Sequence, residues 1–187
     1  MDTEVSRFIQ LTRFPLILGP VLIHCHWPGL EDSYVQYICI EVGWITVPLF
    51  FLISGFLLFR NYDGSTSCYK KKMARRVYTL LIPYLVWNLI AYIFFAYIDR
   101  QIAPQHFIQS FFALPEMSGG PADHPLWFLR NIIVYTLLAP LIYWFVKQRF
   151  AGVILVSILA IWFWGLPLLQ HGIMIGGLFF VGGGIFL

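Results

Sequence analysis

The chain has 187 residues, of which 59% are apolar, 19% aromatic and only 11% charged, with a net charge of +3, whereas a soluble domain carries about 25% charged residues. That composition excludes a soluble globular domain, and so small a net charge gives no support to nucleic-acid binding. Three scattered cysteines, Cys25, Cys39 and Cys68, make no disulfide framework.

The first ten residues mix acids with one arginine and lack a small-residue cleavage site, so no removable signal peptide is expected and the first apolar segment itself directs insertion. A bilayer core about 30 Å thick takes about 20 helical residues to cross. By that ruler the chain holds five spans and part of a sixth, near residues 8–27, 42–59, 77–98, 126–146, 152–169 and 173–187. The expected fold is an all-α polytopic transmembrane helix bundle. Residues 1–187 form one membrane domain, without internal repeat or linker.

Short cytoplasmic loops retain lysine and arginine. Arg7 and Arg13 come early in the chain, Arg60, Lys70, Lys71, Lys72, Arg75 and Arg76 lie between spans two and three, and Lys147 and Arg149 between four and five. Ten of the twelve cations thus fall on one side, which places the N-terminus in the cytoplasm and leaves Arg100 and Arg130 as exceptions. Glu31, Asp32, Asp99, Glu116 and Asp123 fall on the external side.

Ionisable groups inside a bilayer are costly and default to functional candidates. In span one, Arg13 and His24 are eleven residues apart. At about 100° and 1.5 Å per residue they share one helix face with a rise of roughly 16 Å, which puts the histidine in the middle or outer half of the membrane. A plainer alternative is that His24 marks the end of the span and Arg13 snorkels to lipid phosphates. His24-Cys25-His26 resembles a metal-binding tripeptide, but its histidines differ by about 200° on a helix and no further ligand cluster appears, so no metal is expected.

Further along, Ser54-Gly55 lacks a full nucleophile-elbow pattern and reads as close packing of small residues. Tyr84, Asn88 and Tyr92 form a polar stripe on span three, either lining a substrate path or bonding neighbouring helices. In the external segment 99–124, Pro104 can open a short helix with Phe107, Ile108, Phe111 and Phe112 on one face. That helix would lie on the outer membrane surface, or the segment is a loop packed on the span ends. Arg130, one turn inside span four, needs an acid, a water-filled cavity or a ligand phosphate. Gly176, Gly177, Gly182, Gly183 and Gly184 imply tight helix contacts, with partners in a further half of the protein.

Four stretches, taken together, resemble the acyltransferase-3 family of membrane-bound acyltransferases. They are Arg13 with His24; residues 47–58, VPLFFLISGFLL; the basic run ending at Arg76 and leading into Leu81-Ile82-Pro83-Tyr84; and His124-Pro125-Leu126-Trp127-Phe128-Leu129. They occur in the family's order and cover residues 13–140. Relatives often have a second arginine three residues after the one matching Arg76, where this chain has Thr79. Members also usually have about ten spans, so the chain reads as the front half of such an enzyme.

The resemblance implies transfer of an acyl group, usually acetyl from acetyl-CoA, to a hydroxyl of a sugar or cell-envelope glycan, in a bacterial inner membrane. His24 would act as general base and Arg13 would steady charge or hold the donor, while Lys72, Arg75, Arg76 and Arg130 would hold acyl-CoA. Expected partners are the bilayer, a glycan acceptor, and either a second copy or a C-terminal half. Half of a transporter or channel, or a non-catalytic membrane remnant, is the rival reading.

Overall fold

The computed structural model describes residues 3–24, 33–98, 107–112, 122, 124–163 and 172–185. All the regular structure among them is helical. The described chain separates into two compact units, residues 1–61 with 142–187, and residues 62–141.

In the first unit, α1 runs Thr3–His24 and α2 Tyr34–Phe59. The α2 helix starts eight residues before the expected boundary because Ser33 caps it: its hydroxyl accepts the Gln36 amide at 3.2 Å, satisfying an N–H that no helical carbonyl reaches. It ends where Arg60 donates its amide to the Phe56 carbonyl at 2.8 Å and Asn61 turns left-handed at φ 57°, a conformation asparagine tolerates. The rest of the unit is the end of α7 (Ala139–Val146), α8 (Ala151–Phe163) and α9 (Gly172–Ile185).

Glycines set the packing in this unit. A Cβ on Gly43 would stand 2.7 Å from the Gly19 carbonyl oxygen, so α1 and α2 approach backbone to backbone. A Cβ on Gly55 would collide with the Phe180 carbonyl, and one on Gly183 would come within 2.7 Å of the Phe56 amide nitrogen. Gly176 lies against the ring of Phe51 and Gly184 against that of Phe59. The partner of the α9 glycine face is therefore α2 of this same chain, not a further half of the protein. Without a hydrophobic drive between helices in lipid, such close approach is the main source of association.

In the second unit, α3 (Thr66–Arg76) carries the basic run. Expected as a connection between spans, it instead continues through a π-helical turn, Val77–Leu81, into α4 (Ile82–Ile93) and a second π turn, Phe94–Ile98. Pro83 has no N–H to give the carbonyl four residues back, and the wider π turn just before it is the local answer. The whole runs 33 residues, Thr66–Ile98. The α5 helix is the single turn Gln109–Phe112, a 3-10 turn follows at His124–Leu126, and α6 spans Trp127–Leu137.

Among the described residues, two helices, Tyr34–Phe59 and Thr66–Ile98, are long and apolar enough to cross a membrane, or three if α6 and α7 count as one span. The expected single helix over 126–146 breaks at Leu138, because the ring of Pro140 excludes the carbonyl of Thr136 from a continuing helix. The α1 helix has 22 residues but carries Glu4, Arg7 and Arg13, which dilute its hydropathy.

Candidate functional site

Of the residues singled out by sequence, Arg13 and His24 fall on α1 in the first unit. Their helical backbone is described, which retains the shared face, and their side chains lie outside the described residues, as do Cys25 and His26. Lys72, Arg75, Arg76 and Arg130 belong to the second unit.

The basic residues of α3 sort onto two faces. Lys70, Lys71 and Arg75 are exposed, whereas Lys72 and Arg76, four residues apart, are half-buried and within electrostatic reach of each other. Like charges at that spacing destabilise a helix unless an anion shares them. At the start of α3, Ser65 caps by accepting the Cys68 amide at 3.1 Å, while its own amide donates to the Asp63 carboxylate at 2.8 Å. Hydrogen bonds from Ser65 hold the Asp63 carboxyl below its ordinary range. Thr79, standing where relatives have an arginine, donates to the Arg75 carbonyl at 3.0 Å.

Polar side chains face inward on α4 and apolar ones outward. Val86, Trp87, Leu89, Ile90 and Ile93 are exposed, while Tyr84, Asn88 and Tyr92 are buried, the arrangement expected when the surrounding solvent is lipid. Tyr84 donates its hydroxyl to the Phe111 carbonyl, Asn88 donates its amide to the Ser110 carbonyl at 2.8 Å, and the Tyr92 ring meets the edge of Phe107 at 5.0 Å. The stripe therefore bonds residues 107–111. Phe111 packs with Tyr92, Ala96 and Ala122, so residues 107–112 are docked on helices rather than laid on the membrane surface, and Ile108 points outward.

Arg130 is buried at the head of α6. Its Nε and Nη2 both donate to Asn131 Oδ1, each at 3.3 Å, and its guanidinium is within electrostatic range of the Tyr84 hydroxyl. At the other end of α6, Tyr69 donates to the Leu137 carbonyl at 3.0 Å. Arg130 is thus seven residues, about 10 Å, along α6 from the level at which that helix meets α3. Asn131 was not foreseen. Its signal is a second polar residue beside Arg130 in an apolar run, and its amide nitrogen has no hydrogen-bond partner among the described residues. No cluster of three metal-ligating side chains occurs among them.

Residues 7–187 match the family described as "Acyltransferase domain", the acyltransferase-3 family. The chain is 30% identical to the succinoglycan biosynthesis protein ExoH of Rhizobium meliloti (strain 1021), over 86% of this chain and 48% of that protein. The chain thus spans about half the length of the relative it matches. No solved structure matches it.

Proposed function

Because the chain belongs to the acyltransferase-3 family, we propose that the whole protein is a multi-pass, inner-membrane O-acyltransferase that moves an acyl group, acetyl first among them, from acyl-CoA in the cytoplasm to a hydroxyl of a cell-envelope polysaccharide. The family match carries this reading. The relative named for succinoglycan biosynthesis supports a polysaccharide acceptor, and the lysine and arginine asymmetry supports a cytoplasmic N-terminus with five spans and part of a sixth.

Coenzyme A is a polyanion, and the half-buried pair Lys72 and Arg76, with Arg75 beside it, supplies charge-assisted donors for its phosphates. Arg130, deeper in the membrane, suits the acyl end of the donor. His24 takes the proton from the acceptor hydroxyl, and the freed electron pair forms the C–O bond at the thioester carbonyl. The C–S bond breaks with its pair on sulfur, and the imidazolium returns the proton to that thiolate. Arg13 steadies the negative charge that develops on the carbonyl oxygen.

The test is acyl transfer by the full-length protein carrying His24→Ala, at matched membrane expression. General-base catalysis contributes roughly 10² to 10⁴ in rate, so turnover falls at least about a hundredfold while acyl-CoA binding is kept. His26→Ala, on the opposite helix face, costs far less. Near-normal turnover in His24→Ala ends the general-base assignment. In the same assay, neutralising Arg75 and Arg76 weakens acyl-CoA binding, most at low salt.

A further inference from the structure

Residues 107–112, within the connection between α4 and α6, are held by side chains of α4. Arg76 ends the basic run, and Tyr84 and Asn88 lie eight and twelve residues beyond it on one helix, roughly 12 and 18 Å into a hydrocarbon core about 30 Å thick. These two side chains therefore flank the mid-plane. An asparagine side chain spans only a few ångströms, so the Ser110 carbonyl, 2.8 Å from the Asn88 amide, and the Phe111 carbonyl bonded to Tyr84 share that depth. Phe107 lies against Tyr92, one turn further out, so residues 107–111 descend along α4.

The Ala122 amide also donates to the Ser110 carbonyl, at 2.9 Å, and the chain enters α6 five residues later. That helix has 11 residues, about 16 Å of rise, enough for half a crossing. Inside a bilayer, backbone that is not helical is tolerated only where protein groups satisfy it. Tyr84, Asn88 and the Ala122 amide do so for Ser110 and Phe111. Ile108, 71% exposed, is apolar, as a residue facing lipid tails must be.

We propose that residues 107–112 re-enter the bilayer from the external side, and that the Asn131 amide near the head of the half-span α6 donates to a hydroxyl oxygen of a sugar arriving from outside. Asn131 is fully buried. Its Oδ1 is occupied by Arg130, and Nδ2 remains a donor with no partner among the described residues. A neutral amide donor of this kind suits a ligand hydroxyl, whereas a phosphate is better matched by the charged donors of α3. The identity of that ligand rests on the acyltransferase reading. The re-entry does not.

Two measurements on the full-length protein in lipid vesicles decide the matter. A nitroxide on Ile108→Cys, in a background lacking Cys25, Cys39 and Cys68, collides with oxygen in preference to a nickel chelate, placing it about 10 Å or more below the phosphates. A label on Ser65→Cys shows the reverse. Equal nickel access at the two positions overturns the re-entry, whether or not the protein transfers acyl groups. Oligosaccharides from partial hydrolysis of succinoglycan are the probe for the second. Asn131→Asp keeps the oxygen that Arg130 holds but removes the donor, so it weakens oligosaccharide binding about tenfold and acyl-CoA binding, through its neighbour Arg130, several-fold less. Unchanged oligosaccharide affinity in Asn131→Asp, equal loss of both ligands, or no oligosaccharide binding by the wild type overturns the ligand assignment. Oligosaccharide bound normally but never acylated overturns the acyltransferase reading alone.

Discussion

The two units solve the same problem, holding helices together in lipid, by opposite means. In the first, α2 meets α1 and α9 through glycines, and backbone touches backbone. In the second, α4 presents tyrosine and asparagine inward to hold carbonyls of the re-entering segment. Lipid tails give apolar side chains no reason to associate, which leaves close van der Waals fit and hydrogen bonds as the available forces. The glycine seam is intolerant because it is already in contact. The polar stripe is replaceable in part, because each bond is one of several.

The largest effect that difference foretells is at Gly55. A valine there drives its Cβ into the Phe180 carbonyl, and backbone cannot swing aside as a side chain does, so the helices must part. Overpacking usually costs about 1–3 kcal/mol; here the loss is at least about 3 kcal/mol, read as collapse of the folded fraction in a detergent unfolding titration. Gly152, with no described residue outside its own helical turn within 4 Å of its Cβ position, is the matched control. Its change to alanine is neutral or stabilising, by up to about 1 kcal/mol from helix propensity. Comparable losses at both positions would show that the seam is no more demanding than an open site.

A smaller effect is due at the stripe. Asn88→Ala removes the donor to Ser110 but leaves that carbonyl the Ala122 amide, and Tyr84→Phe removes the hydroxyl that donates to the Phe111 carbonyl while keeping the ring. Hydrogen bonds between membrane segments average about 0.6 kcal/mol and reach about 1.7, so each variant loses roughly 0.5–2 kcal/mol. Hydrogen exchange in residues 107–112 rises in both. Unaltered exchange there would mean that aromatic packing of Phe107 and Phe111 on Tyr92 holds the segment unaided.

Much of this was legible beforehand, and the failures have physical reasons. The stripe is visible because residues four apart share a helix face, and the role of Gly55 is visible because small residues in an apolar helix signal contact. The run 66–76 reads as a connection because hydropathy ends at its charges, yet Lys, Arg, Met and Ala are strong helix formers, and nothing before Pro83 stops the helix. The onset of α2 was missed because Ser33 acts through a cap, which hydropathy does not register. The depth of residues 107–112 is set by partners 22 and 27 positions away, and no local pattern carries such pairings. For the proposed base the sequence gives a face and a depth, and the helix Thr3–His24 is compatible with the face.

The smallest effect lies in the second unit outside the membrane, where the turn before α3 depends on a charge. Asp63 accepts the Ser65 amide while the Ser65 hydroxyl caps Cys68, so the ionised carboxyl organises the first turn of the cationic helix. Its folded pKa is depressed, chiefly by hydrogen bonding from Ser65. A depressed pKa means that the stabilisation is fully present above the unfolded value, about 3.9 for aspartate, and fades as pH falls through the folded one. The carboxyl is fully exposed, so the change is local. Amide exchange of residues 65–69 should be steady from neutral pH down to about 4, after correction for the intrinsic pH dependence of exchange, and should accelerate below that. Asp63→Asn, which cannot ionise, should remove that extra acceleration and show faster exchange throughout. If the wild type and Asp63→Asn gave the same corrected profile, the turn would owe its order to the Ser65 cap alone.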